Sequence, residues 1–84
     1  MQYRSRVDIV RDMLTYVNDD TIPKGQKTKT HIMYATYLSY SQLKDYLEYM
    51  TSHRFVNLHN GLYSISPSGL AMLNKLEELK AIGL

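Results

Sequence analysis

Lys24, Lys27 and Lys29 fall within six residues, His31 follows, and no acid interrupts them. Ammonium groups spaced this closely suit a polyphosphate backbone, where each neutralised phosphate releases condensed counterions. Other chemistries find fewer residues. The chain has no cysteine, which excludes a disulfide scaffold and a thiolate metal site. His31, His53 and His59 lack the i, i+4 spacing of a helical zinc pair, and no well-placed carboxylate joins them, so no metal is expected. Gly-rich phosphate loops and nucleophile–base pairs are missing. Asp19-Asp20 and Glu77-Glu78 are sequence neighbours on surface segments and read as solvated charge. Neither catalysis nor a cofactor is expected.

The wider composition sets bounds on that reading. Eighty-four residues make one domain, 1–84, with a small core, so self-association is a natural extra source of stability. The net charge of +2, from ten Lys and Arg against eight Asp and Glu, is a weak argument for nucleic acid. Distribution says more. After Ser41, Lys44, Arg54, Lys75 and Lys80 are matched by Asp45, Glu48, Glu77 and Glu78, so the positive excess lies in the first half. No secretory signal or membrane-length apolar run is present, and a cytoplasmic, nucleoid-associated location is expected.

The lysines need a scaffold, and the apolar spacing predicts one. Ser5 and Asp8 form a capping box before a helix running to about Asn18, whose apolar face is Val7, Val10, Leu14 and Val17 with Ile9 and Met13 beside it. Pro23 and Gly25 break the chain into a loop. A second helix starts near Thr28, presents Ile32, Met33 and Ala35 inward, and stops around Thr36, with Leu38 plugging the turn. Ser39 and Gln42 cap a third helix, buried along Leu43, Tyr46, Leu47 and Met50 and polar along Tyr40, Ser41, Lys44, Asp45 and Glu48.

Two segments of alternating character, Phe55–Leu58 and Leu62–Ile65, flank His59-Asn60-Gly61, and Asn-Gly predicts a type I′ hairpin turn. Ser66 and Pro67 then open a last helix over 67–84, where Leu70, Leu73, Leu76, Leu79 and Ile82 recur every third residue with Met72 alongside. That spacing drifts around the helix, leaving a second apolar face for a partner. The order of elements is that of a mostly α (α+β) winged helix-turn-helix: three helices, a β-hairpin wing and a C-terminal helix.

The central stretch from Lys29 through Thr30, His31, Ile32, Met33 and Tyr34 to Leu38, Ser39 and Tyr40 resembles the signature of small archaeal winged-helix proteins. That family comprises predicted transcriptional regulators related to the Sulfolobus chromatin proteins called 10a. The likeness extends to the first helix, Arg4 to Val10, and to Tyr63, Ile65, Ser66 and Gly69 after the wing. It implies a winged-helix fold, DNA binding and a homodimer through the last helix. In the chromatin proteins that helix is a long antiparallel coiled coil; here it ends at Leu84, and a shorter dimer contact is expected. Arg54 stands where winged helices commonly carry Gly, and the loop from Asp19 to Gln26 is longer than usual.

The expected partner is therefore double-stranded DNA, with the third helix, about 40–52, in the major groove. Lys27, Lys29 and Thr30 are the candidate phosphate contacts; Tyr40, Ser41, Gln42 and Lys44 face the groove; Arg54, His59 and Asn60 belong to the wing. Met72, Leu76, Leu79 and Ile82 are the expected dimer surface. Asp45 and Glu48 oppose phosphates and point to moderate affinity with weak sequence preference. Of the eight tyrosines, Tyr46 and Tyr63 fit core positions, while Tyr34, Tyr37, Tyr40 and Tyr49 are expected to pack between helices, with stacking on single strands as the alternative. The competing reading of the whole chain is a protein–protein module using the last helix. No small-molecule ligand or membrane partner is indicated.

Overall fold

The computed structural model describes residues 4–83, so Leu84, the expected end of the last helix, lies outside them. Its elements are α1 (Arg6–Asn18), a 3-10 turn (Lys24–Gln26), α2 (Lys29–Thr36), α3 (Tyr40–Ser52), β1 (Val56–His59), β2 (Leu62–Ile65) and α4 (Pro67–Ala81). Four helices and one antiparallel hairpin in this order make a mostly α winged helix-turn-helix.

Each helix begins on a side-chain cap. Ser5 Oγ accepts from Asp8 N–H at 3.1 Å, and Asp8 accepts in return from Ser5 N–H at 3.2 Å. Those Ser5 donors, backbone first and then hydroxyl, hold the Asp8 carboxyl below the usual carboxylate range, with Arg11 adding to the effect. Thr28, Ser39 and Ser66 cap α2, α3 and α4. Pro67 occupies the first turn of α4, where the missing N–H costs nothing.

Two helices end in the same unusual way. At the end of α2, Leu38 N–H donates to Met33 O at 3.2 Å and Tyr37 N–H to Tyr34 O at 3.4 Å, a Schellman turn with Tyr37 at φ 57°. At the end of α3, Phe55 N–H donates to Met50 O at 2.9 Å and Arg54 N–H to Thr51 O at 3.1 Å, with Arg54 at φ 59°. Both left-handed positions normally favour Gly because a Cβ crowds the backbone there. The hairpin turn adds Asn60 at φ 53° and Gly61 at φ 77°, the pair of positive angles a type I′ turn requires.

α1 lies at the centre, packed against α4, α2 and β2. Met13, Leu14, Ile32, Leu43 and Met50 are fully buried around it, and Leu38, Val56, Tyr63, Leu73 and Leu76 complete the core. β2 is tied to the 3-10 turn by Tyr63 N–H donating to Lys27 O at 2.8 Å.

Several expectations change. The buried stripe of α1 is Ile9, Met13, Leu14 and Val17; Val7 is 44% exposed and lines an open groove of about 410 Å³ between α1, α3 and α4. In α2 Thr36, not Ala35, is buried, its hydroxyl satisfied by Ile32 O at 2.6 Å. Leu58 shares the inward face of Val56, yet it is exposed towards the tip of the hairpin. α4 ends at Ala81 rather than 84. Leu76 belongs to the core of its own domain, because it packs inward with Leu73, and is withdrawn from the dimer surface; Met72 is half-buried against the same core. Leu79 and Ile82 remain exposed.

Candidate nucleic-acid interface

From Thr21 to Lys44 the chain carries four lysines and no acid. Three of the four, Lys24, Lys29 and Lys44, have exposed side chains. The ion pairs among the described residues join Arg4, Arg11, Asp8 and Asp12 around α1, so they leave the α2 and α3 lysines unpaired. Lys29 and Thr30 are the first two residues of α2 and are exposed, with the free N–H groups of the first turn beside them. His31 turns back instead, its Nδ1 lying 2.7 Å from the Thr28 hydroxyl of the cap.

Lys27 is a correction. Its side chain is buried, 8% exposed, and Nζ donates to Val17 O at 2.6 Å, one of the carbonyls that the end of α1 leaves without a helical partner. A cation there also offsets the negative end of the helix dipole. The neighbouring Gln26 O accepts from the Tyr16 hydroxyl at 2.7 Å, and burial pushes that phenol up. Thr21, through its hydroxyl and then its N–H, holds the Asp19 carboxyl below its usual range, and the Lys27 charge acts in the same direction. Lys27 thus rivets the loop to α1 and is not available to phosphate. Lys27→Met, which keeps the apolar stem, is expected to cost about 1.5–3 kcal/mol in chemical denaturation, the range for a hydrogen bond to a charged group. The salt dependence of DNA binding by the folded variant should match wild type; a shallower slope would return Lys27 to the interface.

Tyr40, Ser41 and Lys44 are exposed on the first turns of α3, as their spacing predicts. Gln42 is also exposed, but its Oε1 accepts from Ser39 N–H at 3.1 Å and from the Ser39 hydroxyl at 3.2 Å. A bidentate pair with adenine needs both ends of the amide. The capping box therefore restricts Gln42 to donating through its NH2 group. Asp45 and Glu48 follow on exposed positions further along the helix. Arg54, beyond the end of α3, lies roughly 20 Å along the axis from Tyr40 by helix rise, on the left-handed corner leading into β1. His59 and Asn60 are exposed at the wing tip. The basic set opens α2 and the groove-facing set opens α3; Arg54 follows the far end of α3, and His59 and Asn60 belong to the wing.

The tyrosines depart furthest from expectation. Tyr34, Tyr37 and Tyr40 are 70%, 88% and 62% exposed, so they do not pack between helices. Tyr49, 43% exposed, keeps its ring centroid 4.3 Å from that of His53 and 6.1 Å from that of Phe55, against the end of its own helix rather than between helices. The spacing-based assignment failed because the end of α2 and the start of α3 turn their outer faces away from α1. The left-handed corner at Tyr37 was the missed signal, hidden because nothing in the residue type announces it.

Among the described residues no group of His, Cys, Asp and Glu could hold a metal ion, and no helix is long and apolar enough to cross a membrane. A family model described as winged helix-turn-helix matches residues 3–83. An uncharacterized protein of the archaeon Methanocaldococcus jannaschii is 29% identical over 76 residues, covering 90% of this chain and 34% of the relative. The chain thus spans about a third of the length of that curated relative.

Proposed function

The chain belongs to the winged helix-turn-helix family, and from that premise we propose that it binds double-stranded DNA as a transcriptional regulator or chromatin-associated protein. The observation that carries this reading is the acid-free run from Thr21 to Lys44, which includes the starts of α2 and α3 and leaves Lys29 and Lys44 exposed and unpaired among the described residues. In this mechanism Lys29, Thr30 and the free N–H groups of α2 grip the backbone and set register. Tyr40, Ser41, Gln42 and Lys44 then face base edges in the major groove, where Lys44 can reach guanine and Gln42 can donate one hydrogen bond. Arg54, His59 and Asn60 take the flanking backbone through the wing. With one cationic reader and two nearby acids on α3, affinity is moderate and sequence preference weak. This suits a protein that coats or bends DNA as well as one that regulates a gene. The likeness to archaeal winged-helix proteins related to the Sulfolobus chromatin proteins supports the same roles and a nucleoid location.

We place self-association on Leu79 and Ile82, the apolar side chains that α4 leaves exposed near its end, with the edge of Met72 beside them. The decisive experiment is fluorescence anisotropy on a random-sequence duplex across a salt series. A linear log–log dependence, near −0.9 per phosphate neutralised, is the expected result. Absence of binding at low salt removes general duplex binding.

A further inference from the structure

Tyr37 combines a backbone conformation that costs stability with a ring that gains none from burial. Its backbone sits at φ 57°, where a Cβ is disfavoured, and its ring is 88% exposed to water. The hydroxyl has no hydrogen-bond partner among the described residues, and the ring has no aromatic one. Among the described residues no side-chain hydrogen bond or aromatic contact of Tyr37 offsets the strained position; the backbone bonds of the turn would form equally with Gly, which adopts it without strain. A strained residue whose side chain serves nothing internal points outward, to a ligand.

The surroundings identify that ligand. Tyr34 in the last turns of α2 and Tyr40 at the first position of α3 are exposed on either side of Tyr37 in sequence, giving three open phenol rings around one turn. Lys29 and Lys44 bracket them with no acid between, so the charge complements a phosphate backbone. Aromatic faces flanked by cations match unpaired nucleobases, because stacking needs a π-face that a duplex keeps hidden inside its own stack. We infer that Tyr34, Tyr37 and Tyr40 form a stacking platform for single-stranded DNA, with Tyr37 as its central ring. The inference shares its lysines with the duplex reading but does not need α3 in a groove.

Tyr37→Gly tests it cleanly, since Gly relieves the backbone while removing the ring. Wild type, Tyr37→Gly and Tyr37→Phe are titrated with a labelled oligothymidylate and with the random duplex, and their thermal midpoints are measured. Wild type is expected to bind the oligothymidylate. Tyr37→Gly should weaken that binding about tenfold or more, with its midpoint held or raised and its duplex affinity within about twofold of wild type. Tyr37→Phe should bind as wild type does. Wild-type protein that ignores the oligothymidylate, or a Tyr37→Gly variant that binds it unchanged, overturns the platform. So does equal weakening on duplex and single strand, which marks a shared backbone contact, or a Phe variant as weak as the Gly one, which assigns the effect to the hydroxyl. Protein that binds the duplex alone sinks the platform and keeps the proposed function; protein that binds the oligothymidylate alone does the reverse.

Discussion

The Lys29→Gln, Lys44→Gln double variant is expected to bind random duplex DNA roughly 50-fold more weakly than wild type at 0.1 M salt, with a salt slope shallower by about 2. The magnitude follows from counterion release. At that ionic strength each lysine charge withdrawn from the duplex, Lys29 at the backbone and Lys44 in the groove, removes about 0.9 in log K, or roughly eightfold, when the two losses add. Folding should be untouched, because both side chains are exposed and make no ion pair among the described residues. Unchanged circular dichroism and thermal midpoint are therefore part of the expected result. Wild-type affinity and slope in the double variant would show that DNA does not meet the protein on this surface. An unaltered ability to capture a protein partner, alongside lost DNA binding, would separate the two functions that the sequence leaves in competition.

Gly69→Ala is expected to destabilise the domain by about 3 kcal/mol, lowering the thermal midpoint by roughly 15 °C. Helix propensity alone predicts the opposite sign, a gain of about 1 kcal/mol for Ala over Gly inside a helix. Geometry decides between them. A Cβ on Gly69 would stand 1.9 Å from Phe55 O, 2.8 Å from Phe55 C and 2.9 Å from Ile65 Cγ1. Phe55 O cannot retreat easily, since Ser66 N–H and Ser66 Oγ both donate to it at 3.0 Å. The Ser66 hydroxyl also reaches Arg54 O and accepts from Gly69 N–H at 2.9 Å, so one knot holds the corner after α3 to the start of α4. Adding a methyl group must prise α4 from that corner, which also seats the wing. A thermal midpoint within a few degrees of wild type would show that the corner yields, and that Gly69 is there for another reason.

What the sequence by itself determined is local. Ser5 with Asp8, Ser39 with Gln42, Ser66 with Pro67, and Asn60-Gly61 each encode a cap or a turn through contacts no more than three residues apart, and the helix and hairpin boundaries followed to within a few residues. Element order then gave the winged helix-turn-helix, because few arrangements bury those apolar stripes together. The tertiary structure decided which surface each residue serves. Lys27 looked like its neighbours Lys24 and Lys29, yet the fold of the loop brings it under the end of α1, ten residues back, where a buried carbonyl needs a donor. Leu76 and Leu79 sit one helical turn apart, and only the seating of α4 on α1 makes the first core and leaves the second exposed. Tyr34, Tyr37 and Tyr40 carry the same phenol as Tyr46 and Tyr63, and period alone cannot say which rings a corner turns outward. Caps and turns are short-range hydrogen bonds written in residue type. Burial depends on where distant segments meet, which periodicity constrains to a face and does not resolve residue by residue.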